Sequence, residues 1–394
     1  MCSRFALILS YFLACTVLSW ATSGATGSGS QPTYVITNDD VILSNQVSFY
    51  LAGNTQQGPT LTLQNSLPVT GRGIGGGFFG TRRLLLDPSG QCLYASNGGT
   101  SNFTAVDIAT QQVVGTYAGF RTDKGTTNGV GLAMNSNYLY AGFTQSNTIA
   151  TFAVMQGCQL SLLDSTPVAG LSGGWVGGMA IRGNMLVVAY GDGSIQSFNI
   201  ANGVPISNDD EQNAAGFATA YFPESVDITQ DGHFAIFGDA AIGTAVEVSD
   251  ISSGKLAPTV LYNLGTAATA IVGNNSASVW LSPDESLLYI GNSQGGSVMA
   301  AFFNPTTGRV RSGCYSGVLK NFYNPWAYIG SLATRDTTGT GGVLYAAEFG
   351  SSVAILEVQS NGTTCTLAES PNSPVADDTS DGLLSIQVYP PRPF

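Results

Sequence analysis

One short block recurs seven times along the chain, and no other feature limits the fold so strongly. Its copies are Tyr34-Val-Ile-Thr-Asn38, Leu93-Tyr-Ala-Ser-Asn97, Leu139-Tyr-Ala-Gly-Phe143, Val187-Val-Ala-Tyr-Gly191, Ala235-Ile-Phe-Gly-Asp239, Leu288-Tyr-Ile-Gly-Asn292 and Leu344-Tyr-Ala-Ala-Glu348. Start-to-start spacings are 59, 46, 48, 48, 53 and 56 residues. Turn signals precede several copies, as in Asp87-Pro-Ser-Gly90 and Ser282-Pro-Asp-Glu285. Alternating strands follow, such as Phe103–Ile108, Ser194–Ile200 and Val353–Val358. Each unit therefore holds about four strands of period-two alternation.

Four strands in about 50 residues make one propeller blade, which buries its faces only by stacking on neighbours. Seven copies predict an all-β, seven-bladed β-propeller with four-stranded antiparallel blades. The first repeat begins at its second strand, with no inner strand before Tyr34. An extra strand, Leu383–Tyr389, follows the last repeat. The C-terminal strand is thus expected to close the ring, which removes exposed sheet edges. Composition agrees. The chain holds 50 glycines and only 13 Lys and Arg, against a helical or disordered protein.

Residues 1–30 read as a secretory signal and short linker, with 31–394 as one propeller domain. Arg4 opens the segment, Phe5–Trp20 is apolar, and small residues run from Ala21 to Ala25. An uncleaved anchor is one alternative. A lipoprotein site at Cys15 is another. No later run reaches the length of a spanning helix, so the expected location is periplasmic or extracellular. Net charge is −12, which disfavours nucleic acid and anionic membranes as partners. Cys92, Cys158, Cys314 and Cys365 remain after cleavage and allow three pairings. There is no CxxC, so no structural zinc site is expected.

The repeated blocks resemble the YVTN-type bacterial propellers and the seven-bladed lactonase family, which includes 6-phosphogluconolactonase and 3-carboxymuconate cyclase relatives. The resemblance spans residues 33–390. It implies a channel mouth where His, Arg and Glu side chains act on a lactone. This chain has one histidine, His233, in Gln230-Asp-Gly-His-Phe234. The repeat register places it in the turn between inner and second strands, on the face opposite the mouth. That departure favours ligand binding over hydrolysis.

The mouth should be built from connectors that enter each blade and from turns after each second strand. Gly71–Arg83 links the first two blades and carries Arg72, Arg82 and Arg83, whose guanidinium forks suit carboxylate or phosphate. It lacks the strand–helix context of a dinucleotide fingerprint. Tyr221 and Glu224 enter the fifth blade, and Glu224 would need a raised pKa to act as an acid. Tyr323 and Trp326, in Asn321–Tyr328, enter the seventh, and Trp175 enters the fourth. Aromatics with Asn suit flat, hydroxylated ligands. The second strands end in a ring of Asn38, Asn97, Phe143, Gly191, Asp239, Asn292 and Glu348. Polar members should cap turns; Asp239 and Glu348 are the further candidates.

Asp377-Asp-Thr-Ser-Asp-Gly382 partly mimics a calcium loop, but Val388 stands where the twelfth-position Glu belongs. No metal or cofactor is expected. Sequons occur at Asn102, Asn274 and Asn361. The sequence therefore predicts an exported, monomeric propeller that takes a sugar, a carboxylate or a protein partner at its mouth. The catalytic candidates are Glu224, Arg72 and Arg82. The ligand-binding candidates are Arg83, Trp175, Tyr221, Asp239, Tyr323, Trp326 and Glu348. The alternative is a lactone hydrolase or cyclase using the same residues.

Overall fold

In a computed structural model of the chain, period-two alternation becomes seven antiparallel sheets. The structure describes residues 32–75, 82–119, 129–214, 223–239, 244–264, 275–293, 295–320, 329–334, 341–348, 351–377, 382 and 385–391. Inner and second strands are Leu84–Leu86 and Cys92–Asn97 in blade 2, and Val130–Met134 and Tyr138–Phe143 in blade 3. They are Val176–Arg182 and Met185–Tyr190 in blade 4, and Pro223–Ile228 and Phe234–Asp239 in blade 5. Blade 6 uses Asn275–Leu281 and Leu287–Ser293, and blade 7 uses Ile329–Thr334 and Gly341–Glu348. Third and outer strands follow each pair in chain order. Short edge segments, Gln212–Asn213 and Val375–Ala376, extend blades 4 and 7.

Blade 1 is the exception that closes the ring. Its second strand, Tyr34–Asn38, pairs on one side with Gln46–Thr55 and on the other with the C-terminal strand Ser385–Tyr389. Each inner strand lies against the next, and the C-terminal strand contacts those of blades 7 and 2. The expected closure is present.

Strand residues alternate between two blade faces, so each blade feeds two cores. Leu84 and Leu86 pack toward blade 1, while Leu85 packs toward blade 3. Val35 faces blade 7 and Ile36 faces blade 2. The described residues form seven buried clusters, one for each pair of neighbouring blades. The open cysteine pairing resolves into two bonds that also cross blades. Cys92–Cys158 joins blades 2 and 3, and Cys314–Cys365 joins blades 6 and 7.

The block repeat needs one correction of register. Inner and second strands pair as Pro223↔Asp239 and Ile329↔Glu348, and the equivalent pair in blade 4 is Val176↔Tyr190. Tyr190, not Gly191, is the ring member there. Inner strands of blades 4 to 7 also share a bulge at one level, leaving Gly177, Glu224, Ala277 and Gly330 outside the ladder. A bulge at a sheet rim re-aims its residue.

Candidate functional site

The mouth face is the one that receives the blade-entering connectors and the turns after the second strands. The expected turn capping is present. Asn97 donates through Nδ2 to Asn102 and Thr104, each at 2.9 Å. Asn292 donates to Ser297 Oγ at 3.2 Å and accepts from Thr244 Oγ1 at 3.2 Å. Buried Asn45 donates to Asn38 Oδ1, Asn97 Oδ1 and the Ser96 carbonyl, which locks blades 1 and 2 together at the rim.

Glu348 closes blade 7's second strand, is 5% exposed and accepts from the Ser352 hydroxyl. Burial raises its carboxyl to about 7; the Ser352 bond opposes this and the charge of Glu369 adds to it. It is therefore a carboxyl poised between its two protonation states near neutrality. Glu224 is the bulged residue of blade 5's inner strand, and Asp239 is the register partner of Pro223 beside it. The side chains of both lie outside the described part of the structure. Tyr221, Tyr323 and Trp326 also lie outside the described residues.

The three arginines of the first connector have different fates. Arg72 is exposed at the rim, and its Nη2 donates to the Gly99 carbonyl at 3.4 Å. Arg83 is 2% exposed and sits 3.9 Å from Asp40 between blades 1 and 2. Arg82 reaches across the ring from blade 2. Its Nη2 donates to Asp227 Oδ1 of blade 5 at 2.6 Å, and its guanidinium lies 5.7 Å from the Trp280 ring of blade 6. Asp227 is held in place by the backbone N–H groups of Ile228 and Leu281, each at 3.0 Å. Arg82 takes a left-handed backbone with φ 61°, which costs about 1–2 kcal/mol. The ion pair, with Arg82 19% and Asp227 2% exposed, holds that side chain across the ring. The cavity beside it, lined by Arg82, Leu86, Trp280 and Gln387, is about 30 Å³, room for about one water. The axis is filled at this level.

The glycines of this connector answer to packing. A Cβ on Gly73 would stand 2.1 Å from the Asp40 backbone, and one on Gly71 would stand 2.5 Å from Asn97. Trp175 is half-buried and lies flat on Gly191, where a Cβ would meet its ring at 2.2 Å. Asp192 fastens the connector before it, accepting from Ser172 N at 2.7 Å and Gly174 N at 3.0 Å. Burial alone would raise the Asp192 pKa, but bonds from Ser194, Ser172 and Gly174 outweigh it and hold it low.

Sequence reasoning missed Asp227 and Asp39, and read Asp377 only as the start of a partial calcium loop. Asp39 is fully buried, accepts from Thr37 and Ser48 at 2.6 Å each, and sits near Asp377 at the closing seam. Burial, and then the Asp377 charge, raise its pKa well above the usual range. No signal marked these three as partners, because their contacts join blades far apart in sequence. His233 is where the repeat register put it, half-exposed, with Nδ1 3.0 Å from Asp231.

The fold and the mouth geometry define a seven-bladed β-propeller. Solved structures with this fold include a Lactobacillus plantarum protein at 13% identity. It covers 91% of this chain and 99% of its own, with a TM-score of 0.68. A Bacteroides uniformis chain proposed to be a 6-phosphogluconolactonase is similar at 16% identity, 91% and 100% coverage, and TM-score 0.67. The periplasmic gluconolactonase of Pseudomonas aeruginosa is similar at 12% identity, 90% and 99% coverage, and TM-score 0.66. No protein-family model and no curated protein sequence matches this chain.

Proposed function

We propose that the chain is an exported lactonase-like propeller that binds a small sugar acid or related carboxylate at its mouth, without the histidine chemistry of the lactonases. The observation that carries this is the position of His233. The sequence has one histidine, and it stands in the turn between blade 5's inner and second strands, bound to Asp231. Arg72 is an exposed cation at the mouth, whereas Arg82 and Arg83 are engaged with Asp227 and Asp40. Glu224, Glu348, Asp239 and the aromatics Trp175, Tyr221, Tyr323 and Trp326 complete the proposed binding surface. The names borne by the Bacteroides and Pseudomonas proteins support a sugar-acid ligand. Two disulfides support an oxidising compartment. No helix among the described residues is long and apolar enough to cross a membrane.

Calorimetry with gluconate tests this reading. Saturable binding should weaken about tenfold in Arg72→Ala, as expected when a charge-assisted bond is lost. Absence of binding would remove the proposal. A second reading, lactone hydrolysis or cyclisation, draws on Glu348, whose carboxyl sits at about 7 and could serve as general acid or base near neutral pH.

A further inference from the structure

One opening among the described residues lies away from the mouth. A groove of about 610 Å³ lies between blades 6 and 7, on the face that carries the turns from third to outer strands. Its walls include Phe302, Asn304, Arg309, Arg311, Ser286 and Ser360. Arg309 and Arg311 stand two apart on the outer strand of blade 6, Arg309–Tyr315, so both side chains leave the same face. In a chain of net charge −12 with 13 Lys and Arg, two arginines at one opening are a local excess of positive charge.

Neither arginine forms an ion pair among the described residues. Arg311 is nonetheless held still. Its guanidinium stacks 4.3 Å from the Phe302 ring, and its Nη1 and Nη2 donate to the Thr363 and Gly362 carbonyls at 3.4 Å. Those bonds occupy two of its five N–H donors. Arg309 is exposed and uncommitted to any carboxylate. A fixed, aromatic-backed guanidinium beside a free one suits a planar anion, because the fork matches a carboxylate and the stack prevents collapse. The volume is that of a small-molecule site, with Phe302, Phe303 and Val310 as its apolar wall and the arginines, Asn304 and two serines as its polar groups.

We propose that this groove is a second ligand site, remote from the mouth, for a small organic carboxylate with a flat apolar body. Arg309 supplies the charge, the free edge of Arg311 orients the carboxylate, and Phe302 with Arg311 forms the platform beneath the body. The site does not depend on what the mouth binds.

Titrating the full chain with 2-naphthoate, followed by its fluorescence, tests the assignment, with inorganic phosphate as competitor. Saturable binding is expected, weakened about tenfold in Arg309→Ala and about fivefold in Arg311→Lys, which keeps charge but loses the fork and the stack. Arg309 is exposed, so Arg309→Ala should melt with the unmodified chain and a loss of binding there is not a folding effect. Phosphate at equal concentration should leave naphthoate bound. No saturable binding, binding unchanged in Arg309→Ala, or equal competition by phosphate would each overturn the proposal.

Discussion

At the residue scale, the account turns on Arg82 and Glu348. Removing Arg82 takes the ion-pair partner away from a buried Asp227. Arg82→Ala should therefore cost about 2–3 kcal/mol of stability, read by denaturant unfolding. A cycle with Asp227→Asn should show a coupling above about 1 kcal/mol, since the two groups touch. Glu348 predicts a pH effect of defined sign. Its folded pKa of about 7 exceeds the ordinary 4.5, so the folded chain binds this proton more tightly than the unfolded one. The associated stability is full below pH 4.5 and is lost as pH rises through about 7. Glu348→Gln should flatten the pH dependence of unfolding over that window, by up to about 3 kcal/mol at 1.36 kcal/mol per unit. Both residues were legible as mouth candidates in the sequence. Their environments were not: Asp227 lies 145 positions from Arg82, and only the ring brings them together.

At the element scale, the closing strand is the clearest success of the repeat. A missing first inner strand and a surplus last one left a single consistent pairing, and Tyr34↔Tyr389 through Asn38↔Ser385 is that pairing. Ile386 is fully buried between blades 7 and 1. Ile386→Ala should lower stability by about 2–5 kcal/mol, and thermal melting will measure it. The bulges at Gly177, Glu224, Ala277 and Gly330 were not legible. A bulge adds one residue without disturbing the polarity pattern enough to be seen, and two of these four positions are glycine. In blade 4 the repeat block also stands one residue past the ring level, at Gly191 instead of Tyr190. The blade 5 bulge is the backbone position of Glu224, the one carboxylate among the four and a member of the proposed binding surface.

At the scale of the whole molecule, both disulfides cross between blades and close chain segments of 66 and 51 residues. On the chain-entropy account each stabilises the ring by about 4 kcal/mol. Reduction should lower the melting temperature, and Cys314→Ser should reproduce roughly half of the loss. The composition could announce oxidation but not pairing, because the pairing follows from which blades are neighbours. The central claim is that this ring binds a small sugar acid at the mouth and does not hydrolyse its lactone. Isothermal titration of gluconate, and then of glucono-1,5-lactone, into the full chain reads the two halves of that claim. The account predicts saturable binding heat for gluconate and, for the lactone, a heat rate no greater than that of its spontaneous hydrolysis in buffer. A sustained heat rate that scales with protein and disappears in Glu224→Gln or Glu348→Gln would contradict it, as would no binding heat at all.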